Sequence, residues 1–249
     1  MNFTEPIGSP LNGATSYRGQ IALSPKGGVS NGFPAGILQL NPYTGDWSWI
    51  VNNWFGLRFY SVNDLVTLDD DTLIFTNFNF TRPGVVKQTA LGVWALPPTG
   101  PARLLIDDLP ATPNGVALTP DNKTLYVTTT AGEDLGLDAY VRGNKIYAFD
   151  LVVRNGGVFA QNKRVFAALD YGFPDGLKVD RAGNVWTSAG DGVQVFNAGG
   201  QLIGKILVSQ SYPKNQAVNN LIFAGNRLVI LHHTDILVLR TNTSSFGSA

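Results

Sequence analysis

Short runs of alternating apolar and polar residues, each pair joined by a turn of Asp, Asn, Gly or Pro, recur along this chain. Three of these units align. The first is Asn63–Leu68, the turn Asp69-Asp70-Asp71, then Thr72–Asn77. The second is Asn114–Thr119, the turn Pro120-Asp121-Asn122-Lys123, then Thr124–Thr128. The third is Asp175–Asp180, the turn Arg181-Ala182-Gly183, then Asn184–Ser188. Strict alternation bounded by such turns predicts β-hairpins. A weaker fourth copy runs Asn220–Ala224, Gly225-Asn226, Arg227–Leu231. Further strands are predicted between the hairpins at Gly92–Leu96, Lys145–Phe149 and Gly192–Phe196, and ahead of them at Gly19–Leu23 and Gly36–Trp47. No stretch of ten or more residues carries a capped helical period.

The copies begin 51, 61 and 45 residues apart, the length of one four-stranded blade with loop insertions. The expected fold is therefore all-β, a β-propeller with about five blades present. No domain boundary interrupts the repeat, so residues 1–249 are read as one propeller domain with an irregular segment at 1–14 and a tail at 241–249. Two edges are expected to stay unpaired, Gly19–Leu23 and the last strand near Ile236–Leu239, and open edges invite self-association.

Composition agrees and removes whole classes of function. Apolar residues make up 44% and charged residues only 14%, with 28 Gly, a balance that favours short strands and a large core. Net charge is zero, with no cluster of Lys and Arg, so neither nucleic acid nor an anionic membrane is an expected partner. There is no Cys, which excludes disulfides, thiolate metal sites and Cys nucleophiles. No apolar run approaches the ~20 residues that span a bilayer. Met1–Pro6 lacks the basic start and apolar stretch of a signal peptide, so the sequence as written reads as cytoplasmic, or as secreted if a leader lies upstream.

Asn63, Asn114 and Asp175 each stand just before the first strand of a hairpin, where propeller strands surround the central channel. One carboxylate with two amide carbonyls makes a hard oxygen set suited to Ca²⁺ or Mg²⁺. The plainer reading is that Asn-Gly and Asp-Gly simply form turns; recurrence at one place in three repeats favours a site. His232 and His233, the only histidines, are neighbours on a strand, so they face opposite ways and are expected to be structural. No nucleophile elbow or Ser-His-Asp order is present.

Pro113-Asn114-Gly115 with Thr119–Val127, Pro174-Asp175-Gly176 with Asp180 and Gly183–Trp186, and Ser61–Asp64 followed by Phe75-Thr76 are the residues on which the chain resembles the regucalcin/gluconolactonase family. The likeness is closest to the fungal lactonohydrolase-like branch and extends from about Thr15 to Leu239. It implies a six-bladed type of propeller holding one divalent metal at the channel mouth, with Ca²⁺ first and Mg²⁺ or Zn²⁺ as alternatives. It further implies Asn114 and Asp175 as metal ligands, Asn63 touching metal or substrate, and Asp175 as the base that activates water. Two features depart from the family pattern: no first-blade hairpin supplies a Glu ligand, and Asn77 stands where many microbial members carry an acid. Fewer carboxylates weaken cation binding.

The expected function is metal-assisted hydrolysis of a small cyclic ester. The alternative is a metal-free pericyclase, such as a hetero-Diels–Alderase of fungal secondary metabolism, which needs only an apolar pocket holding its reactants in register. Asn63, Asn77, Trp54 and Phe78 are the expected substrate contacts. The aromatic stretches Trp47–Trp49 and Trp54–Tyr60 are read first as blade packing, with a lid over the channel mouth as the alternative. Phe80 and the loop Gly132–Tyr140 lie where loops enclose a ligand, the acidic loop being read as solvated.

Overall fold

In the computed structural model, which describes residues 10–28, 32–78, 85–130, 142–208, 218–233 and 235–240, nearly all regular structure is antiparallel strand. The chain forms two compact units, residues 1–113 and 114–249.

The first unit holds two blades. Strands β1 (Leu11–Tyr17), β2 (Gln20–Pro25), β3 (Ile37–Leu40) and β4 (Trp47–Val51) form one four-stranded meander. A small hairpin, β5 (Asn53–Trp54) with β6 (Leu57–Arg58), leads to the second meander, β7 (Val62–Thr67), β8 (Leu73–Asn77), β9 (Gly92–Leu96) and β10 (Arg103–Ile106). Their shared core gathers Tyr17, Ile37, Phe59, Leu65, Phe75 and Trp94. Phe59 lies edge-on to both Phe75 and Trp94, with centroids 5.3 and 5.4 Å away.

The second unit holds three blades. The first is β11 (Thr112–Leu118), β12 (Thr124–Thr130), β13 (Lys145–Arg154) and β14 (Gly157–Ala168). The next is β15 (Leu177–Val179), β16 (Val185–Ala189), β17 (Gly192–Phe196) and β18 (Leu202–Leu207). The last, β19 (Val218–Ala224), β20 (Arg227–His232) and β21 (Asp235–Arg240), has three strands among the described residues. Among the described residues every blade is an up-and-down antiparallel meander, with β8, β9 and β17 buried along their whole length. The all-β, propeller-type fold with five blades is the one expected from the repeat.

Three details differ from expectation. Strand β1 starts at Leu11, inside the segment 1–14 expected to be irregular, because its Asn12, Gly13 and Ser16 hide the apolar alternation. Strand β2, expected at an open edge, is paired on both sides, with β1 and β3. The fourth copy of the hairpin begins one residue earlier than Asn220, as its register establishes below. The last strand does lie at an edge among the described residues, with Ile236 and Val238 exposed. The tail 241–249 lies outside the described residues.

Candidate active site

One hydrogen-bonded device recurs at the start of the blades. In four of the five blades a Ser or Thr near the end of the second strand, Ser24, Thr76, Thr128 or Ser188, is wholly buried. Its hydroxyl accepts a backbone N–H from the opening of its own first strand: Gly13, Asp64, Gly115 and Asp175 respectively, at 2.7, 3.1, 2.7 and 2.8 Å. In two blades it also donates to the carbonyl of the corresponding residue one blade on, Ser24 to Asn63 and Thr128 to Asp175. A buried amide or carbonyl without a partner is costly. One hydroxyl therefore satisfies two blades and ties their first strands together.

Strand register defines which residues are equivalent. Leu65 pairs with Phe75, Leu177 with Thr187, and Leu221 with Ile230. Two residues before each of these leucines stand Asn63, Asp175 and Asn219. The fourth copy therefore opens on Asn219. An earlier copy, Asn12-Gly13 with Ser24, opens the first blade. The signal for it was present, 51 residues before Asn63 and hidden only by the weak apolar pattern around it.

The Asn-Gly dipeptide at Asn114 is not a turn, since Asn114 and Gly115 both lie inside β11. A Cβ on Gly115 would sit 2.3 Å from the Asp175 carbonyl oxygen. The glycine is there because the next blade passes against it, and that contact brings the Asn114 and Asp175 backbones to the same end of the unit.

Asp175 is half-buried and held from three directions. Ser188 accepts its N–H and Thr128 donates to its carbonyl, while the Asn219 amide donates to its Oδ2 at 3.4 Å. Asn219 Oδ1 in turn accepts the His233 N–H at 3.1 Å. Asn219 therefore presents N–H, not oxygen, to the carboxylate and orients it. Asn114 is buried at 5% exposure.

The profile of the SMP-30/Gluconolactonase/LRE-like region matches residues 12–235. The chain belongs to this family. It is 30% identical over 241 residues to lactonohydrolase oryL of Aspergillus oryzae, covering 87% of this chain and 53% of that protein. To the gluconolactonase of Zymomonas mobilis it is 29% identical over 217 residues, covering 85% of this chain and 58% of that protein. The chain thus spans a little over half the length of these curated relatives. Among solved structures, the gluconolactonase XC5397 of Xanthomonas campestris superposes with a TM-score of 0.74 at 29% identity, over 92% of this chain and 71% of that one.

The second unit carries two residues with hard oxygen donors, Asp175 with its carboxylate and Asn114 with its amide, on segments that meet where Gly115 passes against the Asp175 backbone. That donor chemistry fits a divalent cation such as Ca²⁺. Among the described residues no three His, Cys, Asp or Glu side chains cluster. Asn63 belongs to the first unit, where it is 8% exposed and its carbonyl accepts the Ser24 hydroxyl.

Two of the expected substrate contacts are bonded into the fold. Asn77 is fully buried; its Oδ1 accepts the N–H groups of Tyr60 and Ser61, and its Nδ2 donates to Thr89 Oγ1 and Ala90 O. A carboxylate could not make the last two bonds, so the amide is what the loops around β8 require. Trp54 gives its indole N–H to the Ala102 carbonyl at 2.7 Å and packs its ring against Phe55 and Trp94. Phe78 is half-buried beside Ser61, whose carbonyl accepts its N–H at 2.7 Å, at the end of the blade where Asn63 begins. Phe80 and the loop 132–140 lie outside the described residues.

The histidines divide as the strand geometry requires: His232 is buried and His233 exposed. The acids of the family motif at the other end of the strands are turn formers. Asp180 is buried and accepts from Ala182 N, Asn184 N, Asn184 Nδ2 and Trp186 Nε1. Asp121 accepts from the Thr119 hydroxyl and the Lys123 N–H, and these bonds hold its carboxyl below the ordinary range.

Proposed function

We propose that this protein hydrolyses a small lactone, with Asp175 as the general base beside a divalent cation that it and Asn114 hold. The observation that carries this reading is Asp175 itself. It is a half-buried carboxylate pinned through its backbone at both N–H and C=O and through Oδ2, standing against the Asn114 strand. Membership of a lactonase family supports it further.

When bound, the cation supplies Lewis-acid polarisation of the ester carbonyl and lowers the pKa of adjacent water. The chain's own residues do the rest. The Asn219 amide orients the Asp175 carboxylate through Oδ2, and Asp175 takes a proton from water. The oxygen of that water bonds to the lactone carbonyl carbon. As the tetrahedral adduct collapses, the ring C–O bond breaks and the departing alkoxide recovers the proton from Asp175. Water and lactone go in, and one hydroxy acid comes out.

The hydrogen bonds of Asn77 and of the Trp54 indole account for both residues without a substrate, which supports hydrolysis over a metal-free pericyclase. Hydrolysis of an aldonolactone, followed by acid release with and without EDTA, tests the proposal. Turnover indifferent both to EDTA and to Asp175→Asn would sink it.

A further inference from the structure

Asp175 ends a connection from β14 that starts at Leu169, and this connection is fastened at a second point five residues before the carboxylate. Asp170 Oδ1 accepts both the Lys205 ammonium at 2.7 Å and the Gln194 amide at 2.7 Å. Lys205 also reaches Asp191 Oδ2 at 3.3 Å. Gln194 is fully buried, and Lys205 lies opposite it on the neighbouring strand, with Thr187 on its other side. A polar row thus crosses the sheet from β16 to β18, and its outer end grips the connection.

Backbone fit reinforces the grip. A Cβ on Gly172, which has φ +73°, would come within 2.6 Å of the Gly190 N and Cα. The connection therefore lies backbone-to-backbone on the β16–β17 turn, where the Gly190 N–H points to the Tyr171 carbonyl at 3.4 Å. From there Phe173 and Pro174 lead to Asp175, whose N–H meets Ser188 on the same strand as Gly190's approach. Pro174 fixes its own φ and narrows the options of Phe173 before it.

We infer that Lys205, acting through Asp170 and backed by Gln194, is a positioning residue that holds the 170–175 connection so that the Asp175 carboxylate stays in its working place. The charge arrangement explains why a cation is needed. Without Lys205, Asp170 and Asp191 face each other as two carboxylates, and Asp191 Oδ1 is already buried without a hydrogen-bond partner. Repulsion then drives the connection off the turn. The inference rests on the proposed role of Asp175 for its effect on function, but the clamp itself is a separate physical fact.

The test uses the full chain with Lys205→Met, Lys205→Arg and Asp170→Asn. Amide hydrogen exchange of residues 170–176 is expected to quicken at least tenfold in Lys205→Met and to return within threefold of the parent in Lys205→Arg, with the β12–β13 amides unchanged. Ca²⁺ affinity by calorimetry should fall at least tenfold in Lys205→Met, and kcat should drop far more than KM moves. Exchange at 170–176 within twofold of the parent in both Lys205→Met and Asp170→Asn overturns the inference. If Lys205→Met does not fold, Asp170→Asn gives the same readout. If the parent protein neither binds Ca²⁺ nor opens lactones, the proposed function fails, and the exchange rates still decide whether the clamp exists.

Discussion

The second blade and the fourth share one frame and use it for different ends. Both open on a polar residue two places before a leucine, Asn63 or Asp175, and in both a buried hydroxyl accepts a backbone N–H of that opening, Thr76 from Asp64 and Ser188 from Asp175. They part at the next position of the second strand. In the second blade Asn77 spends all four of its amide hydrogen bonds on neighbouring loops. In the fourth blade Ala189 stands there, and the loop support passes to the Gly190 turn and the Lys205–Asp170 pair. The tethering hydroxyl is common to both, so it belongs to the scaffold. The acid at Asp175 is peculiar to one blade, so the proposed chemistry is placed there.

The largest effect should come from exchanging that one atom type. Asp175→Asn is expected to lower lactone turnover by about 10²–10⁴-fold, as loss of a general base does, and to weaken Ca²⁺ binding measured by calorimetry. Asn63→Ala, the same position in the second blade, should cost turnover less than Asp175→Asn under the same assay. Equal losses would show that the two blades are not distinguished by the acid.

Next in size is Asn77→Asp. It sets a buried carboxylate against the Ala90 carbonyl and should destabilise the fold by about 3 kcal/mol in urea unfolding. Exchange in the other direction has no counterpart in the fourth blade, where Ala189 makes no such bonds. Thr76→Val and Ser188→Ala test the shared part of the frame. Each should cost about 1–3 kcal/mol by leaving a buried N–H without its acceptor. If one is neutral, the hydroxyl device is not common to both blades.

A smaller, pH-dependent difference separates the blades as well. The hydrogen bond to Asp170 raises the Lys205 pKa above its ordinary value. The group favours the folded state fully below the ordinary lysine value of about 10.4, and that contribution fades as pH climbs through the raised value. Thermal melting of the parent and Lys205→Met should therefore differ at pH 8 and converge towards pH 12. The smallest effect is expected at Arg18, whose ion pair with Asp71 is about half exposed at both side chains; Arg18→Ala should change stability by under about 1 kcal/mol.

Much of this molecule was readable before its structure. Alternation and turn chemistry located the hairpins at 63–77, 114–128 and 175–188, because a half-buried strand must alternate and a tight turn needs Asp, Asn or Gly. The same reading singled out Asn114 and Asp175. It missed Asn12 because β1 carries little apolar pattern, and it set the last copy one residue late because Asn219 and Asn220 look alike in a sequence. Asn77 and Trp54 were read as ligand contacts because a polar or aromatic residue near a strand end says nothing of its partners.

By itself, then, the sequence determined the class of fold, the number of blades and the place in each blade where a polar residue recurs. These follow from local periodicity and from residue types that the backbone demands nearby. Tertiary structure alone decided which recurring residue is held by partners from distant parts of the chain. Thr128 reaches Asp175 across 47 residues, Asn219 reaches it across 44, and Lys205 fixes Asp170 across 35. No local pattern encodes such partnerships, because they exist only once separate blades have packed and each buried polar group has found the partner that burial obliges it to find.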